Sequence, residues 1–299
     1  MSHFTVLVSA ADEGWLEEIF APYNEDISFD SPYAVWEDKT DEIEDDWNNH
    51  TIEVVVMEDG TYKFTWDDCF KVGKGFKQEL VIPEHLERRE VLLKEMYPDI
   101  DLFAEEYYGY CYNDSEESYG YWTNPVAKWD WWCVGGRWEG LLKLKDGTEV
   151  SSAYKGDVDW EFMRNHNVER EMERWDLYVK VLEQSQITVE EEVAVTDSEE
   201  KRAMWNRIRA DNDAGEHYDL HKLWDFKPLA LTREEHEKCA YKQRLTFAFI
   251  DNDGAWHEHA HMGWFAATWD EQPDYDQDFW NFVDSLDDDD MVFVVDCHI

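Results

Sequence analysis

The last 55 residues of this chain, 245–299, contain no lysine or arginine, although they contain 14 aspartate or glutamate residues. The first 60 residues contain 17 acidic residues and one basic residue, Lys39. All 299 residues together carry 71 acidic and 27 basic side chains, which gives a formal net charge of −44. A field of one sign repels nucleic acid and anionic lipid, and it attracts a partner with a basic groove. We therefore expect no direct binding of nucleic acid, but a partner whose surface normally binds DNA or RNA.

Three other features are missing. No run of about 18 apolar residues is present, so no membrane-spanning helix is expected. The start, MSHFTVLVSA, lacks the basic residues that begin a signal peptide and is predicted to be a strand. The five cysteines lie far apart and include no CxxC pair, which predicts neither a disulfide framework nor a cysteine zinc site. A reducing cytoplasm is the expected compartment.

Aromatic residues are abundant, with 17 Trp, 15 Tyr and 15 Phe. Disordered acidic chains have few aromatics, whereas each aromatic side chain here can bury a large apolar area. The chain is therefore predicted to fold. Its acids are expected on the surface, because unpaired buried charges are very costly.

Asp-Gly turns between strand-like runs predict three β-hairpins, within residues 52–66, 140–153 and 245–259. Apolar runs at Phe4–Val8 and Met291–Val295 predict two further strands. Both ends of the sequence are thus expected to lie in sheets.

Four segments are predicted to be helices: 84–97 and 160–182 from the helical spacing of their apolar residues, and 201–210 and 234–241 from the capping patterns that precede them. Pro83 stands where a first-turn proline would open the first of them. Thr196 with Glu199, and Thr232 with Glu235, fit the capping-box pattern ahead of the last two. Strands mixed with unevenly placed helices indicate an α+β fold, with mixed or antiparallel sheets built from the Asp-Gly hairpins and interspersed helices.

Two polar stretches, 41–50 and 113–120, are predicted to be loops, and 211–227 is interpreted as a hinge. A boundary near Val158 divides the chain into two expected domains. Residues 1–157 form an N-terminal α+β domain with a tryptophan-rich block, and residues 158–299 form a helical segment followed by a C-terminal acidic α+β domain.

The tryptophan-rich block is residues 124–138, NPVAKWDWWCVGGRW. Its candidate partner-binding residues are Trp129, Trp131, Trp132, Arg137 and Trp138. Gly135 and its neighbouring glycine allow a sharp turn or a close approach of two backbones. The block is either a local aromatic core beneath a bend or a binding surface, since Trp and Arg dominate the energetics of interfaces.

Three alternating histidines form the best metal candidate: His257, His259 and His261. On a strand they would share one face, but the outer two would lie about 13 Å apart, so at most two could bind one ion. They are alternatively histidines on a solvated strand face. A metal-dependent hydrolase or nucleotide-modifying enzyme using these histidines is the alternative function.

The acidic run near the end also counts among the candidate partner-binding residues: Asp287, Asp288, Asp289 and Asp290. Such a run is usually a solvated loop or helix edge. No phosphate loop or nucleophile elbow is present, so no catalytic residue, metal or cofactor is predicted.

Three segments stand out for their specific sequences: the start MSHFTVLV with Leu16 and Ala21-Pro-Tyr23, the block NPVAKWDWWCVGGRWEGLL, and the ending MVFVVDCHI. Together they resemble a widespread family of tailed-bacteriophage proteins. In size and character the chain is also similar to the anti-Gabija inhibitors of phages, which bind the bacterial Gabija nuclease–helicase complex and stop it engaging DNA. The resemblance implies no catalytic residues.

The leading expectation is a non-enzymatic phage protein in the host bacterial cytoplasm that binds a host nuclease–helicase defence complex and blocks its DNA binding and cleavage. Charge complementarity would raise the association rate, and Trp and Tyr anchors would supply most of the affinity. Self-association on the target is expected. Two modes stay open, direct mimicry of DNA and wrapping of the complex. An acid excess that is only a salt adaptation is a third interpretation.

Overall fold

The computed structural model describes residues 2–73, 79–213, 220–223, 226–263 and 267–299. Its strands are β1 (His3–Ser9), β2 (Val35–Asp38), β3 (Thr51–Val56), β4 (Tyr62–Phe64), β5 (Lys71–Val72), β6 (Glu79–Leu80), β7 (Glu87–Leu92), β8 (Cys111–Asn113), β9 (Ser118–Thr123), β10 (Trp131–Val134), β11 (Leu142–Lys143), β12 (Glu149–Val150), β13 (Ser152–Tyr154), β14 (Ala248–Ile250), β15 (Trp256–Glu258), β16 (His261–Met262), β17 (Thr268–Trp269) and β18 (Met291–His298). Its helices are α1 (Leu16–Phe20), α2 (Thr40–Asn49), α3 (Leu93–Met96), α4 (Ile100–Phe103), α5 (Trp160–Gln184), α6 (Val189–Ala194), α7 (Ser198–Asp213), α8 (Arg233–Lys242) and α9 (Tyr275–Ser285). This mixture of helices and mostly antiparallel sheets confirms the α+β fold class.

The chain forms two compact units. Unit 1 contains Met1–Asn24 and Lys128–Ile299, and unit 2 contains Glu25–Ala127. The division expected near Val158 does not coincide with these units. The reason is that β10 and β13, which precede Val158, both pair with β18 near the end of the sequence.

The central sheet of unit 1 has the order β10-β18-β1-β14-β15, and β13 also pairs with β18. β1 is antiparallel to β18 along its whole length and parallel to β14 on its other side, so the sheet is mixed. The strands predicted at Phe4–Val8 and Met291–Val295 are confirmed. The hairpins predicted at 140–153 and 245–259 are confirmed as β11 with β12 and β14 with β15.

Alternation along β1 gives the central sheet two apolar faces. Phe4, Val6 and Val8 lie on the face that packs with Leu16 and Phe20, the two fully buried residues of α1. Each large apolar side chain removed from water in this way contributes about 1.5–3 kcal/mol.

The opposite face packs against α9. Leu7 of β1 and Val294 of β18 join a buried cluster with Phe279, Trp280 and Val283 of that helix. The sheet is therefore covered on both sides, as its nearly continuous apolar strands require.

The long helix predicted over 160–182 is confirmed as α5. It begins after Asp159, whose side chain accepts the backbone N–H of Phe162 at 2.9 Å. Its C-terminal half shares a buried cluster with Ile208 of α7 and with Leu223. The predicted hinge at 211–227 lies partly outside the described residues.

The two predicted capping sites have different outcomes. Thr232 caps α8 as expected, accepting the N–H of Glu235 at 3.3 Å. For α7 the capping side chain is Asp197 and not Thr196, since Asp197 accepts the N–H groups of Glu199 and Glu200 at 2.9 Å each. Aspartate is a strong N-cap, and here it stands one residue closer to the helix.

Unit 2 contains two three-stranded antiparallel sheets, β4-β3-β7 and β2-β9-β8, and the small ribbon of β5 and β6. The hairpin predicted at 52–66 is confirmed as β3 and β4. The core of unit 2 collects Ile43 of α2, Leu93 of α3 and Phe103 of α4, all fully buried.

Segment 41–50 was predicted to be a loop, and this is wrong, because it forms most of α2. Its two apolar residues, Ile43 and Trp47, lie four apart on one helical face. Ile43 is buried, and Trp47 donates its indole N–H to the carbonyl of Tyr97 at 2.8 Å. Tertiary packing therefore stabilises a helix that has little apolar pattern of its own.

Two further expectations for unit 2 are wrong. Segment 84–97 contains the strand β7, whose residues pair with β3 from Thr51 to Val56, and only the short α3 is helical. Segment 113–120 is not a loop throughout, because it contains the turn and part of both strands of the β8–β9 hairpin. In both cases pairing with another strand decides the conformation.

Candidate functional site

The three segments that carry the phage-protein resemblance meet in the central sheet of unit 1. β10, from the tryptophan-rich block, and β1 both pair with β18. The register places His3 and Trp131 on either side of His298. Alternate residues of a strand share a face, so Asp296 projects on the same face as His298. We call His3, Asp130, Asp296 and His298 the terminal-strand cluster.

Asp296 is the buried member of this cluster, with 2% of its surface exposed. Its Oδ1 lies 2.8 Å from Nδ1 of His3, and its Oδ2 accepts the backbone N–H of Arg137 at 2.9 Å. Gly136 makes this approach possible, since a Cβ there would lie 2.4 Å from Oδ2 of Asp296, and its φ of +53° favours glycine. The glycine pair of the block therefore wraps the backbone around a buried carboxylate.

His298 forms the second imidazole–carboxylate pair. Its Nδ1 lies 2.5 Å from Oδ1 of Asp130, and its ring is 4.9 Å from that of His3 at an angle of 67°. A carboxylate at Nδ1 favours the tautomer in which that nitrogen carries the hydrogen. Nε2 of His298 is buried and has no hydrogen-bond partner in the described part of the chain.

Imidazole–carboxylate pairs can exchange protons or orient a metal ligand. Among the described residues, no three His, Cys, Asp or Glu side chains are arranged to hold a metal ion. What the cluster does in this fold is to join the chain start, the tryptophan-rich block and the chain end through side-chain hydrogen bonds.

The tryptophans of the block separate into buried and exposed ones. Trp129 and Trp132 pack on α1, the first through an indole N–H bond of 3.2 Å to its backbone and the second by ring stacking at 5.2 Å. Trp138 packs on the α9 side of the sheet. Trp131, which is 50% exposed, and Arg137 lie at the surface. Of the block's candidate partner-binding residues, these two are the ones most accessible to a partner.

The acidic run Asp287–Asp290 forms the turn between α9 and β18. The backbone N–H of Asp287 donates to Oδ2 of Asp290 at 2.8 Å. Asp288 lies 3.2 Å from Nζ of Lys155, with 85% of its side chain exposed, and Asp289 is also exposed. The run is therefore a solvated turn whose first three carboxylates face water.

The three alternating histidines do not converge. His257 pairs with Asp251 at 2.7 Å, and His261 pairs with Glu258 at 2.6 Å. His259 lies between these pairs, where burial lowers its pKa. The expectation of one shared strand face is wrong, because β15 ends at Glu258 and β16 begins at His261.

A group of tyrosines in unit 2 fixes surface carboxylates, and sequence reasoning missed it. The hydroxyl of Tyr108 donates to Asp46 of α2, and that of Tyr121 donates to Glu37 of β2 at 3.0 Å. Tyr110 is stacked between the two, with its ring 5.2 Å from that of Tyr108 and 5.0 Å from that of Tyr121. We call these three rings the tyrosine ladder.

The ladder also affects ionisation. Burial, followed by the bond to Asp46, raises the pKa of Tyr108. The hydrogen bond from Lys39, followed by that from Tyr121, lowers the pKa of Glu37. Glu37 therefore stays ionised at neutral pH and is held in a fixed position. The signal in the sequence is the concentration of tyrosines and acids between residues 101 and 121.

Unit 2 is strongly acidic as a whole, with 27 acidic and 8 basic residues and a net charge of −19. Its densest stretch is α2, which contains no lysine or arginine. Four carboxylates of this helix are exposed to solvent: Asp41, Glu42, Glu44 and Asp45. We call α2 together with the tyrosine ladder and its two carboxylates the acidic face of unit 2.

Comparison with protein-family models, with curated proteins and with solved structures gave no match. Within the described ranges, no helix has both the length and the apolar character needed to cross a bilayer.

Proposed function

We propose that this chain is a non-enzymatic phage protein that binds a bacterial nuclease–helicase defence complex of the Gabija kind and blocks its binding and cleavage of DNA. The proposal places it in the host bacterial cytoplasm and has it self-associate on its target. The observation that carries the proposal is the acidic face of unit 2, where carboxylates are numerous and two of them, Glu37 and Asp46, are held in place by tyrosine hydroxyls.

The charge density of α2 supports contact with a DNA-binding groove. Four exposed carboxylates lie between Asp41 and Asp45, a distance of about 6 Å along a helix axis. Duplex DNA carries about one negative charge per 1.7 Å, so the two densities are comparable. A basic groove that accepts DNA would therefore attract this helix.

The fixed positions of two carboxylates in the acidic face favour binding of a basic partner. A carboxylate that is already hydrogen-bonded loses little freedom when a lysine or arginine of a partner approaches it. Asp46 and Glu37 are in this state, at the two ends of the tyrosine ladder. Complementary charge of this kind raises association rates and selects partners more than it raises affinity.

Affinity would come from aromatic anchors. In unit 1, Trp131 and Arg137 are exposed beside the buried Asp296, and both residue types are enriched among interface hot spots. Truncation of a hot-spot residue typically costs 2 kcal/mol or more of binding free energy. The W131A variant is therefore expected to bind the complex about 30-fold more weakly, by RT ln K.

The test is displacement of labelled duplex DNA from a purified Gabija-type complex by the full chain. The D41N/E44Q/D45N variant removes three charges from α2, and the D114N/E116Q/E117Q control removes three exposed charges from the β8–β9 turn. We expect at least a tenfold loss of displacement for the first variant and little change for the second. If both variants lose displacement equally, only the net charge of the chain matters, and the acidic face has no specific role in binding.

Salt dependence distinguishes the two modes of inhibition. Surface attraction is largely screened at about 0.5 M salt, where the Debye length is only a few ångströms. Charge mimicry predicts that displacement is lost there, whereas wrapping through aromatic contacts predicts that it persists. If the wild-type chain neither binds the complex nor protects DNA from it at low salt, the proposal is wrong.

A further inference from the structure

Helix α7 lines a cavity of about 610 Å³ in unit 1. Pockets for small molecules usually measure about 300–1,000 Å³ and have mostly apolar walls with a few polar groups. The apolar wall here is formed by Trp205, Leu220, Leu223, Phe226 and Pro228. The cavity therefore has the size and lining of a small-molecule site.

The charged residues that line the cavity are mostly basic, although the chain as a whole has a large excess of acidic residues. Lys201, Arg202, Arg209 and Lys227 line the cavity, and Glu192 is the one acid among its described lining residues. In a chain with 71 acidic and 27 basic residues, such a grouping needs a reason.

Glu192 does not offset these bases at the cavity surface. Its side chain is 4% exposed, and its carboxylate accepts the hydroxyl of Tyr178 at 2.8 Å and the indole N–H of Trp205 at 2.9 Å. Nζ of Lys201 lies 2.8 Å from the same carboxylate. Glu192 and Lys201 therefore neutralise each other inside the wall and orient Trp205 at the cavity.

Arg202 and Arg209 are the two basic residues of the cavity lining whose charges are not neutralised by a described acidic side chain. Neither forms an ion pair with a residue in the described ranges. Arg207 on the same helix pairs with Asp211 at 3.5 Å, and Lys227 pairs with Glu271 at 3.1 Å. The two arginines thus retain their hydrogen-bonding capacity for a ligand.

The spacing of polar residues on α7 brings these donors together. Arg202, Asn206 and Arg209 stand at i, i+4 and i+7, so they follow one another along one face of the helix. Two guanidinium groups flanking an amide match the oxygens of a phosphate, because each guanidinium can donate two parallel hydrogen bonds.

We propose that this cavity binds a nucleoside phosphate, with the phosphate on Arg202 and Arg209 and the base against the half-buried indole of Trp205. Paired arginines select the anion, and the indole offers a flat apolar surface to a nucleobase. The site is independent of the function proposed above, since it lies on other residues and needs no protein partner.

The test is isothermal titration calorimetry of the full chain with adenosine monophosphate, guanosine monophosphate, adenosine, ribose 5-phosphate and inorganic phosphate. We expect one nucleotide to bind at least tenfold more tightly than phosphate, ribose 5-phosphate or adenosine. The R202Q/R209Q variant should weaken that binding at least tenfold. The R88Q/R89Q control removes the same charge from exposed arginines of unit 2 and should leave it unchanged.

Two further variants keep the test decisive. R202K/R209K keeps the positive charge at both positions but removes the planar guanidinium groups that donate paired hydrogen bonds to a phosphate. It should therefore weaken nucleotide binding several-fold. W205L should reduce binding of the nucleotide to that of ribose 5-phosphate. Circular dichroism of each variant confirms that it is folded.

Three results would overturn the proposal. The first is absence of binding by both nucleotides at about 1 mM, which corresponds to an affinity weaker than about −4 kcal/mol. The second is equal binding of nucleotides and inorganic phosphate, which would mean that the Trp205 ring takes no part in binding. The third is equal weakening by R202Q/R209Q and R88Q/R89Q, which would mean that only net charge matters.

Discussion

His3 and His298 lie edge to face in the central sheet, with ring centroids 4.9 Å apart, although they stand at opposite ends of the sequence. Each ring is held by its own aspartate, His3 by Asp296 and His298 by Asp130. Through these four side chains, strands from three distant parts of the sequence are joined by hydrogen bonds outside the backbone ladder.

The first prediction concerns Asp296. In D296N the amide oxygen can still accept the Arg137 N–H, but the amide NH2 then faces Nδ1 of His3, which can accept it only if the ring changes tautomer, and the charge of the carboxylate is lost from both hydrogen bonds. We expect the free energy of unfolding to fall by about 1–3 kcal/mol, measured by urea denaturation. The D289N control, at an exposed position of the α9–β18 turn, should change it by less than about 0.5 kcal/mol. Equal effects of the two substitutions would contradict the anchoring role.

The second prediction separates steric contact from backbone strain. Gly136 and Gly147 both have positive φ, at +53° and +90°, but only a Cβ at Gly136 meets other atoms, those of Asp296. G147A should cost about 1–2 kcal/mol for the left-handed conformation alone. G136A should cost clearly more in the same denaturation experiment. A smaller loss for G136A than for G147A would mean that Asp296 can move aside.

The third prediction is a pH dependence. Burial lowers the pKa of His236 from its ordinary value of 6.5, and its Nδ1 accepts the backbone N–H of Leu229 at 3.1 Å. The folded protein therefore keeps this ring neutral at a pH where the unfolded chain protonates it. Because the unfolded state then binds more protons, this contribution to stability is complete above about pH 6.5 and is lost as the pH falls toward the folded pKa.

The variant H236Q isolates this effect. Glutamine can still accept the Leu229 N–H but does not titrate, so the variant should lose less stability than the wild type between about pH 7 and pH 5. H166Q, at an exposed histidine, should follow the wild-type profile. Parallel profiles for wild type and H236Q would show that His236 titrates normally.

The fourth prediction tests the tyrosine ladder. The Y108F/Y121F variant keeps both rings but removes the hydroxyls that hold Asp46 and Glu37. Unfolding free energy should fall by about 1–3 kcal/mol for the two bonds together. Displacement of DNA from the target complex should weaken about threefold, because the carboxylates keep their charge but lose their fixed position. Y33F, at an exposed tyrosine, is the control. An equal effect of Y33F would contradict a specific role of the tyrosine ladder in stability and binding.

Four strands of the central sheet, β1, β14, β15 and β18, could be predicted because their signals lie in short stretches of sequence. The apolar runs of β1 and β18 and the Asp-Gly turns identify themselves within a few residues. The conformations of α2 and β7 could not be predicted, because they depend on contacts with residues that are distant in the sequence. α2 depends on burial of Ile43 in the core of unit 2, and β7 depends on pairing with β3.

The tryptophan-rich block shows the same limit at the candidate site. Composition identifies the block, but Trp131 and Trp132 are neighbours on β10 and therefore point to opposite faces of the sheet. Which of them is exposed depends on α1, which covers the face of Trp132. The pairing of His3 with Asp296 is similarly set by the register of β1 on β18, which no local pattern encodes.

The position of β1 has a consequence for how the protein is made. β1 leaves the ribosome well before both of its neighbours, because β14 and β18 are synthesised after residue 247. About 240 residues separate β1 from β14, and at 5–20 residues per second their synthesis takes roughly 12–48 seconds, during which the apolar strand β1 has no pairing partner. Unit 2, whose described strands pair within residues 25–127, can fold during that interval, so protection of the nascent chain by a holdase chaperone is expected to be needed mainly for β1.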